Sequence, residues 1–233
     1  MSIDGFTIED SEIAYMDTEA IHTYSSWKGS PSTKSFTRPG VTNVVVRRNE
    51  MHHLGYRTDY EDGVGIEFIF ADHLRFEDNH IHHIAHNGVQ FIRSVVQSTK
   101  RYGFSPEEIK TGDILIRNNI IEKACQNNAD CGALKISGTP PDRHVFRDLL
   151  ITGNVIRDTF GWTYIAEQRG HFDGGDRSLQ QGMGGFGLYV DNASGVIAFR
   201  NIAYNNAFAG FKFAASWRDG DILLYNNTIA NLF

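Results

Sequence analysis

The chain has 233 residues and a formal net charge of −6, from 22 basic and 28 acidic side chains. That length allows one sizeable core and a single domain over residues 1–233. The acidic balance removes any general reason to expect nucleic acid or an anionic membrane as partner, and no apolar run approaches the ~20 residues that a membrane-spanning helix needs.

In chain order, Met1-Ser2-Ile3-Asp4 enters a strand-like segment directly, so the expectation is either a cytoplasmic protein or, as the favoured reading, a chain without its leader. The first run of alternating apolar residues is Phe6-Thr7-Ile8-Glu9-Asp10-Ser11-Glu12-Ile13. Similar runs begin at Val44, Leu74, Ile114, Leu149 and Val196, and the last begins at Ile222 and is not completed. Each run is followed by a break, a Gly or Ala, and another alternating run, as in His80-Ile81-His82-His83-Ile84-Ala85-His86-Asn87-Gly88-Val89-Gln90-Phe91. Residue 1 opens inside a repeat and Phe233 closes inside one, so the expectation is a piece of a longer chain.

One corner position recurs in every copy: Ser11, Asn49, Asn79, Asn119, Asn154, Asn201 and Asn227, at spacings of 38, 30, 40, 35, 47 and 26 residues. Variable spacing around a fixed local pattern means constant strands and variable loops. Asparagine suits such a corner, because it tolerates left-handed backbone angles and bonds its neighbours. No helical apolar period competes. A single unit cannot bury its own apolar face, but stacked copies form a continuous core, each strand pairing with its copy in the next unit. That describes an all-β, single-stranded parallel β-helix of about six to seven coils with long loops. An antiparallel sandwich would not require an asparagine at one fixed phase. The two cysteines, Cys125 and Cys131, are expected as buried thiols, with a local bridge as the alternative.

The pattern resembles the right-handed parallel β-helix repeats of the pectin-lyase-like superfamily. Asp130-Cys131-Gly132-Ala133-Leu134-Lys135 and Gly184-Gly185-Phe186-Gly187-Leu188-Tyr189-Val190-Asp191-Asn192 resemble segments of bacterial members related to glycoside hydrolases. Cys131 stands where those segments have glycine, and Lys135 where they have tyrosine. The resemblance implies a right-handed helix and an extracellular or periplasmic location. It also implies a polysaccharide or glycoconjugate as partner, bound in a groove over the strand that follows the glycine.

Side chains alternate across that strand. Ile21, Ile66, Val89, Leu134, Leu188 and Phe211 face inward. Outward, in one column, stand His22, Glu67, Gln90, Lys135, Tyr189 and Lys212, and in a second Tyr24, Ile69, Ile92, Ser137, Asp191 and Ala214. A solvated sheet face is also polar, but long loops at 54–64, 159–186, 25–41 and 93–113 would wall this one. Acidic residues recur just before the strand, at Asp17, Asp62 and Asp130. Glycoside cleavage needs two carboxylates, about 5–5.5 Å apart for retention or about 6.5–9.5 Å for inversion. Glu67, Asp130 and Asp191 are the catalytic candidates, with Asp62 in reserve; as turn residues, Asp62 and Asp130 would instead cap loops. His86, Gln90, Lys135, Tyr189, Lys212, Arg93 and Trp217 are the candidates for holding substrate.

The expected reaction is hydrolysis by a carboxylate pair, without cofactor. The enzyme-class alternative is a polysaccharide lyase or epimerase with Lys135 or Lys212 as base and Arg93 or Arg218 on the uronate carboxylate, with calcium as a possible cofactor. The third reading is a non-catalytic carbohydrate-binding or cell-surface β-helix. Aromatics flank the presumed groove at Tyr24, Trp27, Tyr56, Tyr60, Trp162, Tyr164 and Trp217, and sugar rings pack on aromatic faces. His52-His53 and His82-His83 fall at equal phases of neighbouring repeats. With no carboxylate or cysteine expected beside them, no metal site is expected there.

Overall fold

The computed structural model describes residues 3–23, 41–56, 63–69, 71–93, 112–127, 131–138, 145–161, 185–214 and 221–230. All regular structure among them is strand, in three parallel sheets. The first sheet runs β1 (Ile3–Glu9), β4 (Val41–Arg47), β7 (Ala71–Glu77), β10 (Gly112–Arg117), β13 (Val145–Thr152), β16 (Ser194–Phe199) and β19 (Ile222–Tyr225). The second runs β2 (Glu12–Met16), β5 (Glu50–Leu54), β8 (His80–Ile84), β11 (Ile120–Glu122), β14 (Val155–Arg157), β17 (Ile202–Tyr204) and β20 (Thr228–Ala230). The third runs β3 (Ile21–Thr23), β6 (Ile66–Ile69), β9 (Val89–Arg93), β12 (Cys131–Gly138), β15 (Gly185–Asp191) and β18 (Ala209–Ala214). Each neighbour within a sheet comes from the next repeat, an arrangement compatible with a parallel β-helix.

The core lies between the three sheets and is built from stacked columns. Val46, Phe76, Ile116, Ile151 and Ala198 form one in the first sheet, and Met51, Ile81, Ile121, Ile156 and Ala203 one in the second. All ten are fully buried. Each large aliphatic side chain among them contributes about 1.5–3 kcal/mol relative to exposure. Phe68 and Phe91 continue the stacking across the third sheet, their rings 5.2 Å apart and nearly parallel.

The corner asparagines form a ladder between the first and second sheets. The Asn79 side chain accepts from the Asn49 backbone N–H and side-chain amide, both at 3.1 Å. Its own amide donates to Asn119 and to the Val46 carbonyl, both at 3.0 Å. Asn119, Asn154 and Asn201 repeat the pattern, and Asn227 ends it. The left-handed backbone angle belongs to a different residue from the one expected. It sits one position earlier, at Asp10, Arg48, Asp78, Asn118, Gly153, Arg200 and Asn226, with φ between 53° and 68°. Asparagine is required for its bifunctional amide, while the strained corner position accepts even arginine.

Cys125 and Cys131 form a disulfide, with their Cα atoms 5.8 Å apart. This corrects the expectation of two thiols. The physical reason is the corner between β11 and β12. Cys125 takes φ 61° and its N–H donates to the His86 carbonyl at 2.8 Å. That turn folds the chain back until the two Cα atoms stand within normal bridging range.

Candidate functional site

The site is assembled from the third sheet. Parallel pairing sets His22 beside Glu67, Glu67 beside Gln90, Gln90 beside Lys135, Lys135 beside Tyr189 and Tyr189 beside Lys212. Close approach of the backbones at the entries to β6 and β9 requires glycine. A Cβ on Gly65 would stand 2.8 Å from the Gly88 carbonyl oxygen, and one on Gly88 only 2.4 Å from that of Ala133.

At one end of the column, two carboxylates meet an imidazole. Nδ1 of His22 lies 3.3 Å from Oε2 of Glu67 and 3.8 Å from Oε1 of Glu19. One ligating atom from each of the three lies within 4.8 Å of the others. The Glu67 and Glu19 side chains are 13% and 16% exposed, against 38% for His22, so the two acids are shielded while their edge stays open. Glu19 was not among the sequence candidates. It sits on the bend before β3, and the Ala20 N–H donates to the Gly65 carbonyl at 2.8 Å, which pins that bend against the entry to β6. The only sequence signal for it is its place three residues before His22.

At the other end the cations gather. Nζ of Lys135 is 3.7 Å from Oδ2 of Asp191 and 4.8 Å from the centre of the Tyr189 ring. Nζ of Lys212 lies 4.3 Å from the same ring and 4.2 Å from that of Phe186. Tyr189 is only 4% exposed. It holds lysines from the strands on either side, and its ring is not open for a sugar to stack on. Between the two ends, Oε1 of Gln90 accepts from the Asn87 side chain at 2.8 Å, and Oδ1 of Asn87 accepts from the Gly132 N–H at 2.9 Å. His86 is fixed by its backbone, which donates to Gly63 and accepts from Cys125.

Glu67 and Asp191 do not form a cleavage pair. They stand on β6 and β15, three strand spacings apart, or roughly 14 Å along the stack. The carboxylate close to Glu67 among the described residues is Glu19. Arg93 closes β9 opposite Gly138. Asp130 and Trp217 lie outside the described residues, as do Asp62, Arg218 and the aromatics Tyr24, Trp27, Tyr60, Trp162 and Tyr164. Asp17 is exposed, and the Tyr56 hydroxyl donates to Gln126.

The second sheet carries a separate cluster on its outer face. His52 stacks on His82 at 4.8 Å and His53 on His83 at 4.7 Å, each pair nearly parallel. Contrary to expectation, carboxylates do stand beside this stack. Glu12 meets His52 at 3.0 Å, Glu50 meets His82 at 3.1 Å, and Glu122 meets His80 at 3.2 Å. Each pair runs diagonally between adjacent strands, a relation that repeat phase alone does not reveal. Burial outweighs the Glu50 contact and holds His82 below the usual histidine range. The His82 hydrogen bond in turn holds the Glu50 carboxyl below its ordinary value.

Compared with known proteins, the chain matches no family, no curated protein and no solved structure.

Proposed function

We propose that the chain is a right-handed parallel β-helix of about six to seven coils, of the pectin-lyase-like kind, that binds and hydrolyses a polysaccharide or glycoconjugate over its third sheet. The observation that carries this reading is the close approach of Glu19 and Glu67, with one carboxylate oxygen of each within 4.8 Å of the other, at the head of an outward polar column. Glycoside hydrolysis by retention uses two carboxyl groups at about that separation, one protonating the leaving oxygen and the other attacking the anomeric carbon. His22, beside both acids, would orient the pair and help keep the nucleophile ionised. Gln90 and Lys135 extend the column with groups suited to hydroxyl and carboxylate recognition, Asp191 stands beside Lys135 in the neighbouring column, and Lys212 adds a second cation. Arg93 and His86 stand at its margin. The Cys125–Cys131 bridge supports an oxidising, extracellular or periplasmic compartment.

A panel of neutral and acidic polysaccharides tests the reading. New reducing ends should appear without the ultraviolet absorbance of unsaturated products. Glu67→Gln and Glu19→Gln should each lower turnover by at least about a hundredfold, the scale of a lost acid–base group, while leaving binding within a few fold. Absorbance rising with the reducing ends would replace hydrolysis with elimination by Lys135 or Lys212. Binding without any cleavage would leave a carbohydrate-binding β-helix.

A further inference from the structure

We infer that Glu50, His80 and His82, on the outer face of the second sheet, form a binding site for a divalent transition-metal ion of the zinc class, separate from the third-sheet column. His80 and His82 lie two residues apart on β8, so their side chains leave the sheet on the same side. Glu50 lies directly opposite His80 on β5. One ligating atom from each of the three falls within 4.8 Å of the others, and the Glu50–His82 contact is already 3.1 Å. Ligands of one tetrahedral ion at 2.0–2.1 Å stand about 3.3–3.5 Å apart, so closing the set needs only small side-chain rotations, chiefly of the half-exposed Glu50 and His80. Two imidazoles and one carboxylate suit a borderline ion better than calcium, which prefers oxygen alone. Three protein ligands leave a fourth position for water.

The outer contacts point the same way. A metal-binding histidine usually donates its second ring N–H to a fixed acceptor, which orients the ring and fixes its tautomer. Both histidines have such a neighbour in place. Nδ1 of His82 lies 2.7 Å from Nδ1 of His83, and Nε2 of His80 lies 3.2 Å from Oε1 of Glu122. Glu122 is itself held by Arg157, whose guanidinium also donates to the Tyr204 hydroxyl at 2.8 Å. Nε2 of His82 faces the Glu50 carboxylate at 3.1 Å, and a metal ion there would take the place of the proton that now joins them. The stack is also accessible: Glu50 and His80 are half-exposed, while His82 is mostly shielded.

Titration of the chelator-treated full chain with zinc chloride, followed by calorimetry, tests the site. One equivalent should bind in the micromolar range or tighter. Glu50→Gln and His82→Ala should each weaken it at least tenfold, while His22→Ala, which removes the imidazole of the third-sheet cluster, should leave it unchanged. Glu50→Gln keeps the size of a half-exposed side chain, so its result does not hinge on refolding. Absence of saturable binding, binding that survives both second-sheet variants, or binding lost with His22→Ala would each overturn the assignment. None of these outcomes depends on whether the third sheet hydrolyses a glycoside.

Discussion

Asn119 has no exposed surface, and every polar atom of its side chain is used. Its oxygen accepts from the Asn79 backbone and side-chain amides at 3.0 Å, and its nitrogen donates to Phe76 and Asn154 at 2.9 Å. Replacing it with alanine strands donors and acceptors that no water reaches. Each orphaned buried group costs about 1–3 kcal/mol. Asn119→Ala should therefore lower the unfolding free energy by about 2–4 kcal/mol, measured by denaturant titration, whereas Asn227→Ala at the partly buried end of the ladder should cost clearly less. Equal losses at both positions would mean that the ladder acts through corner geometry alone. The charged residues before the ladder behave differently. The Arg48 guanidinium, by hydrogen bonding, holds Asp10 below the usual carboxylate range, and Arg47 does the same for Glu9. A carboxyl lowered in the folded state stabilises above its unfolded pKa and loses that contribution as pH falls through the folded value. Arg48→Ala should thus lower the melting temperature slightly at neutral pH and low salt. Because these groups are exposed, the difference should vanish in strong salt and in strong acid.

Among the elements, the entries to β6 and β9 are fixed by backbone contact. Gly88→Ala places a Cβ against the Ala133 carbonyl at 2.4 Å, and backbone cannot yield as a side-chain tip can. We expect a loss of about 1–3 kcal/mol, as for other overpacked positions, together with weaker binding of any glycan that spans β6 and β12. Unchanged stability would show that the strands can slide apart without penalty. This glycine also explains what could be read in advance. Period-two alternation anchored on a glycine defines which residues share a column, so the pairing of Glu67 with Gln90 and Lys135 was legible from the repeats. Glu19 was not, because its position depends on a bend held by one backbone hydrogen bond from Ala20. The diagonal His–Glu pairs were hidden for a related reason: alternation tells which face a side chain leaves, and not which neighbour it leans toward. The bridge between Cys125 and Cys131 needed the depth of a corner, which sequence separation does not supply.

For the whole molecule, stability should be distributed as in a stack whose layers touch only their neighbours. The middle layers are closed on both sides. Leu74, Phe76, Ile81, Ile116, Ile121, Leu134 and Ile151 have no exposed surface. The outer strands are open: β1 is mostly exposed, β20 entirely so, and Leu223, Leu224, Tyr225 and Ile229 are 42–56% exposed. Strands with little buried area open at low free energy, while fully enclosed ones open only with the whole structure. Amide hydrogen exchange should therefore be slowest in β7, β8, β10 and β12 and faster by orders of magnitude in β1, β19 and β20. Saturating zinc, if held by β5 and β8, should slow exchange most in those two strands and leave β19 and β20 unchanged. Uniform protection from β1 to β20 would mean a single cooperative unit, in which case a loss at Asn119 and a loss at Asn227 would be felt equally throughout the chain.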